Sequence, residues 1–155
     1  MSYRIASWFV VACAAVTCGP VAASARAGGL RATVEMVPAV SLWIAEAPPG
    51  TDVLGVYGRL EGRGQSDALQ AAALDGVREV RLHVLTRGPS GGGLMQPLAR
   101  LAVPARGAVD LKPEGVHLML IGLGRTFAAG QTLKMRLTFA RAGVVVVKVP
   151  VRRRD

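Results

Sequence analysis

Aromatic side chains make up only 5% of this 155-residue chain, and there are just two cysteines, Cys13 and Cys18, both near the N-terminus. Acidic residues are also few, 10 against 19 Lys and Arg, which leaves a formal charge of +9. Each shortage excludes something. With so few rings and with arginines scattered singly (the only run is Arg152-Arg153-Arg154), the chain lacks the clustered basic face and stacking platform of a nucleic-acid binder. Two cysteines cannot staple a mini-protein. Past the first 18 residues, no apolar run is long enough to cross a bilayer as a helix. What is present is apolar: 51% hydrophobic residues, which excludes a disordered chain and can fill the core of one domain. The excess positive charge reads as a solubilising surface that can also steer docking onto an acidic partner.

The N-terminus reads as an export signal. Arg4 precedes an uncharged stretch from Ile5 to Cys18, followed by the breaker Gly19-Pro20 and two small-x-small sites, Ala23-Ser24-Ala25 and Ala25-Arg26-Ala27. That order of charge, apolar run and cleavage site predicts a signal peptide over residues 1–25, cut after Ala25 or Ala27. Residues 26–155 are then a single domain with no stable membrane insertion. Two alternatives exist: a retained anchor, or lipid attachment at Cys13, since Val10-Val11-Ala12-Cys13 loosely fits a lipidation box. Cleavage at either alanine removes both cysteines, so a soft-metal site in the remaining chain would have to rely on Met and His.

Beyond Leu30, Gly and Pro punctuate short segments rich in Val and Leu. Strands are predicted at Gly55–Glu61, Val77–Leu85, Val116–Ile121, Thr132–Phe139 and Val144–Val151. Val77–Leu85 alternates most clearly, with Val80, Leu82 and Val84 on one face and Glu79, Arg81 and His83 on the other. Leu69–Leu74 has helical propensity but is too short to stand alone. Turns fall at Pro48-Pro49-Gly50, across the Arg87–Gly93 stretch, at Lys112–Gly115, Ala129-Gly130 and Ala142-Gly143. The expected fold is all-β: an antiparallel sandwich or small barrel of about seven to nine short strands.

The chain has two histidines, His83 and His117, and four methionines besides Met1. Met95 follows His83 after eleven residues, and His117 follows Met95 after twenty-one, with Met119 two positions on. Random placement would give this spacing with a chance on the order of 10⁻⁵, selection after the fact aside. His117 and Met119 leave the same side of a predicted strand, about 6.6–6.8 Å apart along it, while Val116, Leu118 and Leu120 face the core. The glycine-rich stretch before Met95 can bend to bring its thioether over that side. Two imidazoles and two thioethers form a soft, uncharged donor set that discriminates in favour of Cu(I) over Ca²⁺, Mg²⁺ or Zn²⁺. Taken singly, each of these residues would more often be core or a satisfied polar group.

The same residues carry a family resemblance. The spacing resembles that of the periplasmic copper chaperones of the PCuAC family, and so does the stretch Asp110–Leu123 (DLKPEGVHLMLIGL); Trp43, Pro48-Pro49-Gly50 and Tyr57 fall at family-like positions. The resemblance implies a cupredoxin-like β-sandwich in the periplasm, with Cu(I) held by His83, Met95, His117 and Met119. It also implies delivery toward the CuA centre of cytochrome c oxidase, either to the CuA-bearing subunit or through another copper chaperone. Two positions depart from the pattern: Val84 stands where many relatives carry a further Met, and Ala45 where an Arg often follows the Trp.

Other functions remain in view: copper buffering or resistance through the same residues, and a metal-free sandwich that binds only protein. Catalysis is disfavoured. Both histidines belong to the cluster, no cysteine follows the leader, and the acidic residues are scattered. A blue-copper electron carrier would need a thiolate.

Overall fold

The computed structural model describes residues 37–153, Ser90 excepted. The predicted signal segment, its cleavage sites and both cysteines lie outside the described residues. Ten strands run through the described chain: β1 (Ala39–Ala45), β2 (Val53–Glu61), β3 (Asp67–Leu74), β4 (Val77–Arg87), β5 (Gly93–Pro97), β6 (Leu101–Val103), β7 (Ala108–Leu111), β8 (Val116–Leu123), β9 (Thr132–Phe139) and β10 (Gly143–Arg152). There is no helix among the described residues.

One sheet has the order β5-β4-β8-β2-β1, and the other β10-β9-β3-β6. They join where β1 meets β10 over two residue pairs, Ile44 with Val151 and Ala45 with Arg152. That seam is parallel, whereas every other pairing among the described residues is antiparallel, so the expected sandwich is present with one parallel link in it. The path of strands stays open rather than closing into a barrel.

Alternation builds the core. On β9, Leu133, Met135, Leu137 and Phe139 are buried, while Lys134 and Arg136 between them are exposed. They meet Leu42, Ile44, Leu54, Val56, Leu118 and Leu120 from the first sheet. Burying a side chain of this size contributes about 1.5–3 kcal/mol.

The stretch with helical propensity is strand β3. Leu69 and Leu74 both point inward although their spacing is odd, which strict alternation forbids. A β-bulge between Leu69 and Ala71 absorbs the extra residue and restores the inward face at Ala72 and Leu74. Pairing with β9 outweighs alanine's local preference.

A second irregularity positions the residues of interest. Both β7 and β8 pair with β2, as one interrupted strand: Gly58 opposes Leu111, but Val56 already opposes Leu118. The surplus chain, Lys112–Gly115, leaves the sheet as a turn closed by Gly115 N–H donating to the Lys112 carbonyl at 3.1 Å. It delivers Val116 and His117 back into register beside β4.

Candidate metal centre

The site follows from strand register. Across β4 and β8, His83 directly opposes His117 and Arg81 opposes Met119. Across β4 and β5, Leu85 opposes Met95. Because side chains alternate along each strand, His83, Met95, His117 and Met119 all leave the same side of the sheet. Leu82, Leu118 and Leu120 leave the other side toward the core. Directly opposed Cβ atoms lie about 4.5–5.5 Å apart, and long side chains also reach their diagonal neighbours. His83 is therefore the hub: His117 faces it, and Met119 and Met95 sit on its two diagonals.

Contacts are closest between His83 and Met119, whose Nδ1 and Sδ atoms are 2.7 Å apart. An imidazole nitrogen and a thioether sulfur are thus side by side. His117 is 4% exposed, unusually buried for a residue on the outward side. Tyr57 covers it, with ring centroids 6.2 Å apart, and Trp43 packs on Tyr57 at 5.2 Å. Gly55 makes room for this: it opposes Met119, and a Cβ on it would collide with the Tyr57 hydroxyl. The His117 Nδ1–H donates to the Gly115 carbonyl at 3.0 Å, which also accepts the Leu85 N–H at 3.0 Å. This fixes the tautomer and leaves Nε2 as the free donor atom, as a metal-binding imidazole requires.

Burial lowers the pKa of His83 below its ordinary 6.5, helped by the neighbouring His117 and Arg81 and only partly opposed by Glu79. Its neutral, ligating form is favoured at neutral pH. Glu79 itself is bound to Arg81 at 2.6 Å, so sequence proximity to His83 does not make it an imidazole partner.

Met95 is placed differently from the sequence expectation. It stands on edge strand β5 rather than being carried in by a flexible loop, and it is 43% exposed. The structure therefore brings His83, His117 and Met119 together and puts Met95 on the same side, one strand further out. The remaining methionine within the described residues, Met135, is fully buried core.

Sequence reasoning did not find the roles of Gly115, Gly55 and Tyr57. A glycine two positions before a tyrosine on one strand was the readable signal for the last two; the carbonyl of Gly115 left none. Among the described residues no group of three or more His, Cys, Asp or Glu could hold a metal, so any site here depends on thioether sulfur. A cleft of about 260 Å³ opens beneath Val80, Leu82 and Leu98, away from the imidazoles, and none of the four donors lines it.

The open β-sandwich is shared with solved PCuAC domains. The copper-bound PCuAC domain from PmoF2 superposes with a TM-score of 0.60 at 19% identity, over 73% of this chain and 89% of that one. Apo-DR1885 from Deinococcus radiodurans gives 0.60 at 24% identity over 99% and 97%. CuI-DR1885 from the same organism gives 0.57 at 27% identity over 72% and 75%. The family described as "Putative lipoprotein LpqE-like" matches residues 37–151, and the chain belongs to it. A relative, "Putative lipoprotein Lxx21020" of Leifsonia xyli subsp. xyli (strain CTCB07), is 26% identical over 131 residues, 84% of this chain and 76% of its own.

Proposed function

We propose that this chain is an exported, non-enzymatic copper carrier that binds Cu(I) through His83, Met95, His117 and Met119 and passes it to a partner. The observation that carries the reading is the shared face: all four donors lie within one diagonal of His83, with Nδ1 of His83 aimed at the Met119 sulfur. The copper named in two structural neighbours, PmoF2 and CuI-DR1885, supports the choice of ion.

Copper is the cargo, and the arrangement suits transfer. Thioethers are soft and uncharged, so they hold Cu(I) without the grip of a thiolate. His117 is buried and locked, whereas Met95 sits exposed on an edge strand. An incoming ligand can displace Met95 first while the inner three hold the ion. The recipient we assign is a periplasmic acceptor: the CuA-bearing oxidase subunit or another copper chaperone. The lipoprotein description supports export, and it strengthens the alternative of lipid attachment at Cys13.

Competition against a chromogenic Cu(I) chelator tests binding. A Met95→Ala/Met119→Ala variant should lose affinity, and equal affinities for variant and wild type refute the assignment. Copper K-edge absorption should count sulfur and nitrogen neighbours together; a shell without sulfur would also refute it. Deletion strains separate delivery from buffering: loss of oxidase activity marks delivery, and copper sensitivity alone marks buffering.

A further inference from the structure

The two outer faces of the sandwich handle charge differently. On the site-bearing sheet most cations stand beside anions: Arg59 with Glu61 at 2.9 Å and Asp110 at 3.3 Å, Lys112 with Asp110 at 3.3 Å, and Arg81 with Glu79 at 2.6 Å; Arg87 at the end of β4 is an exception. On the opposite sheet, Lys134 of β9 and Lys148 of β10 are direct cross-strand partners. Both are exposed, and among the described residues neither has a carboxylate within 4.0 Å. Like charges placed opposite one another destabilise a sheet. Basic residues in this chain are mostly arginine; there are only three lysines, and two of them make this contact.

Next to them lie Val144 at 63% and Val146 at 58%, the two most exposed large hydrophobic residues among the described ones. Val146 opposes Arg136 and Val144 opposes Thr138, with Ala73 and Ala71 of β3 beyond. Arg136 reaches Asp75 at 3.3 Å, the one carboxylate in contact with this group. The surface grades from the lysine pair, through Arg136 beside Val146, to Val144 beside Thr138. An edge strand often carries a lysine to repel other edges, which would account for Lys148. It does not account for bare valines alongside, nor for a second lysine facing the first.

We propose that this face docks on an anionic lipid surface, with Val144 and Val146 at the headgroup–acyl boundary and Lys134, Lys148 and Arg136 against phosphate groups. Charge complementarity selects the occupant. A second copy would bring the same excess of positive charge to the contact. A tight protein interface usually centres on aromatic anchors, and this face presents small, β-branched and basic residues instead. A lipid surface needs no matching relief, and each basic residue near it adds attraction. The orientation also leaves the His–Met cluster, on the far sheet, turned toward the aqueous side. The inference does not depend on copper binding.

The test uses the chain from Arg26 to Asp155, which contains all ten strands. It is sedimented with vesicles of phosphatidylcholine alone and of phosphatidylcholine with phosphatidylglycerol. Binding should require the anionic lipid, weaken as salt rises, and fall roughly tenfold or more in a Lys134→Gln/Lys148→Gln variant. A Val144→Ser/Val146→Ser variant should bind more weakly than wild type at the same charge. Equal sedimentation with neutral and anionic vesicles, or unchanged binding by the lysine variant, overturns the proposal. Polyglutamate binding as tight as vesicle binding, with no effect of the valine variant, also overturns it and points to an acidic protein. Thermal melting controls for folding: the lysine variant should melt no lower than wild type, because a repulsive pair has been removed.

Discussion

At the scale of single residues, the donor types and their spacing were legible, but the atoms that aim them were not. His83, His117 and Met119 meet because of register. The proton on His117 is placed by a backbone carbonyl, which no side-chain pattern encodes. Replacing Met119 with Leu keeps size and apolarity and removes only sulfur, so the fold should lose less than about 1.5 kcal/mol. Cu(I) affinity should fall by at least roughly tenfold, the lower end of what losing even an outer partner of a ligand costs. Chelator competition and urea titration of the same variant would separate the two effects; a variant that keeps full affinity would remove Met119 from the ligand set.

Protonation gives a second residue-scale prediction. The folded-state pKa of His83 is lowered by burial, then by the neighbouring charges. The folded protein therefore takes up a proton at His83 less readily than the unfolded chain does. Through this group, stability should decline as pH falls below about 6.5 toward the lower folded value. The His83 contribution to copper affinity should stay nearly level down to that lower value and then drop, since only the neutral ring ligates. Affinity measured across pH in wild type and a His83→Gln variant checks this. A wild-type profile already falling steeply between pH 8 and roughly 6.5 would contradict it.

At the scale of elements, five strands could be read, whereas β1, β5 and the strands that carry a bulge or run very short could not. Thr132–Phe139 matches β9 residue for residue. β3 was hidden because its bulge puts Leu69 and Leu74 on one side at a spacing no regular strand allows, and its alanines favour a helix locally. The three- and four-residue strands β6 and β7 are too brief to show a period. Asp67, at the head of β3, shows what binds such elements. Its carboxylate accepts N–H groups from Ala68 at 2.7 Å, Arg141 at 2.9 Å and Ala142 at 2.9 Å, holding the β9–β10 turn. Burial alone would raise its pKa, but those backbone hydrogen bonds and the Arg141 charge outweigh burial and lower it. The stabilisation is thus full above about pH 4 and is lost as pH falls through the folded value. Asp67→Ala should cost about 1–3 kcal/mol at neutral pH, read from the urea midpoint. The loss should shrink at a pH low enough to protonate the carboxylate; an equal loss at both pH values would count against this role.

Gly58 sets a comparable limit on β2. Its φ is 139°, and a Cβ there would strike the Ser41 carbonyl of β1. Gly58→Ala should destabilise by at least about 2 kcal/mol in a denaturant titration, and a variant of wild-type stability would show that β1 can yield.

For the molecule as a whole, composition and turn spacing implied an all-β sandwich, and the distribution of charge between its faces emerged only from the pairing. Lys134 and Lys148 are far enough apart in sequence that nothing announces their meeting. The same holds for the link between the sheets. Ile44 and Ala45 meet Val151 and Arg152 because β1 and β10 run side by side in the same direction, and parallel partners from distant segments leave no hairpin signal. A chain ending at Pro150 should lose cooperative thermal unfolding, since it lacks that link and the buried Val151.

That seam also sets an order of events. It unites the first described strand with the last, so synthesis or export that starts from the N-terminus releases β1 long before its neighbour exists. Until the end of β10 emerges, that edge of β1 stays bare. Maturation therefore ends with a late clasp, and a chain stalled a few residues short is one that quality-control proteases could recognise by its open side.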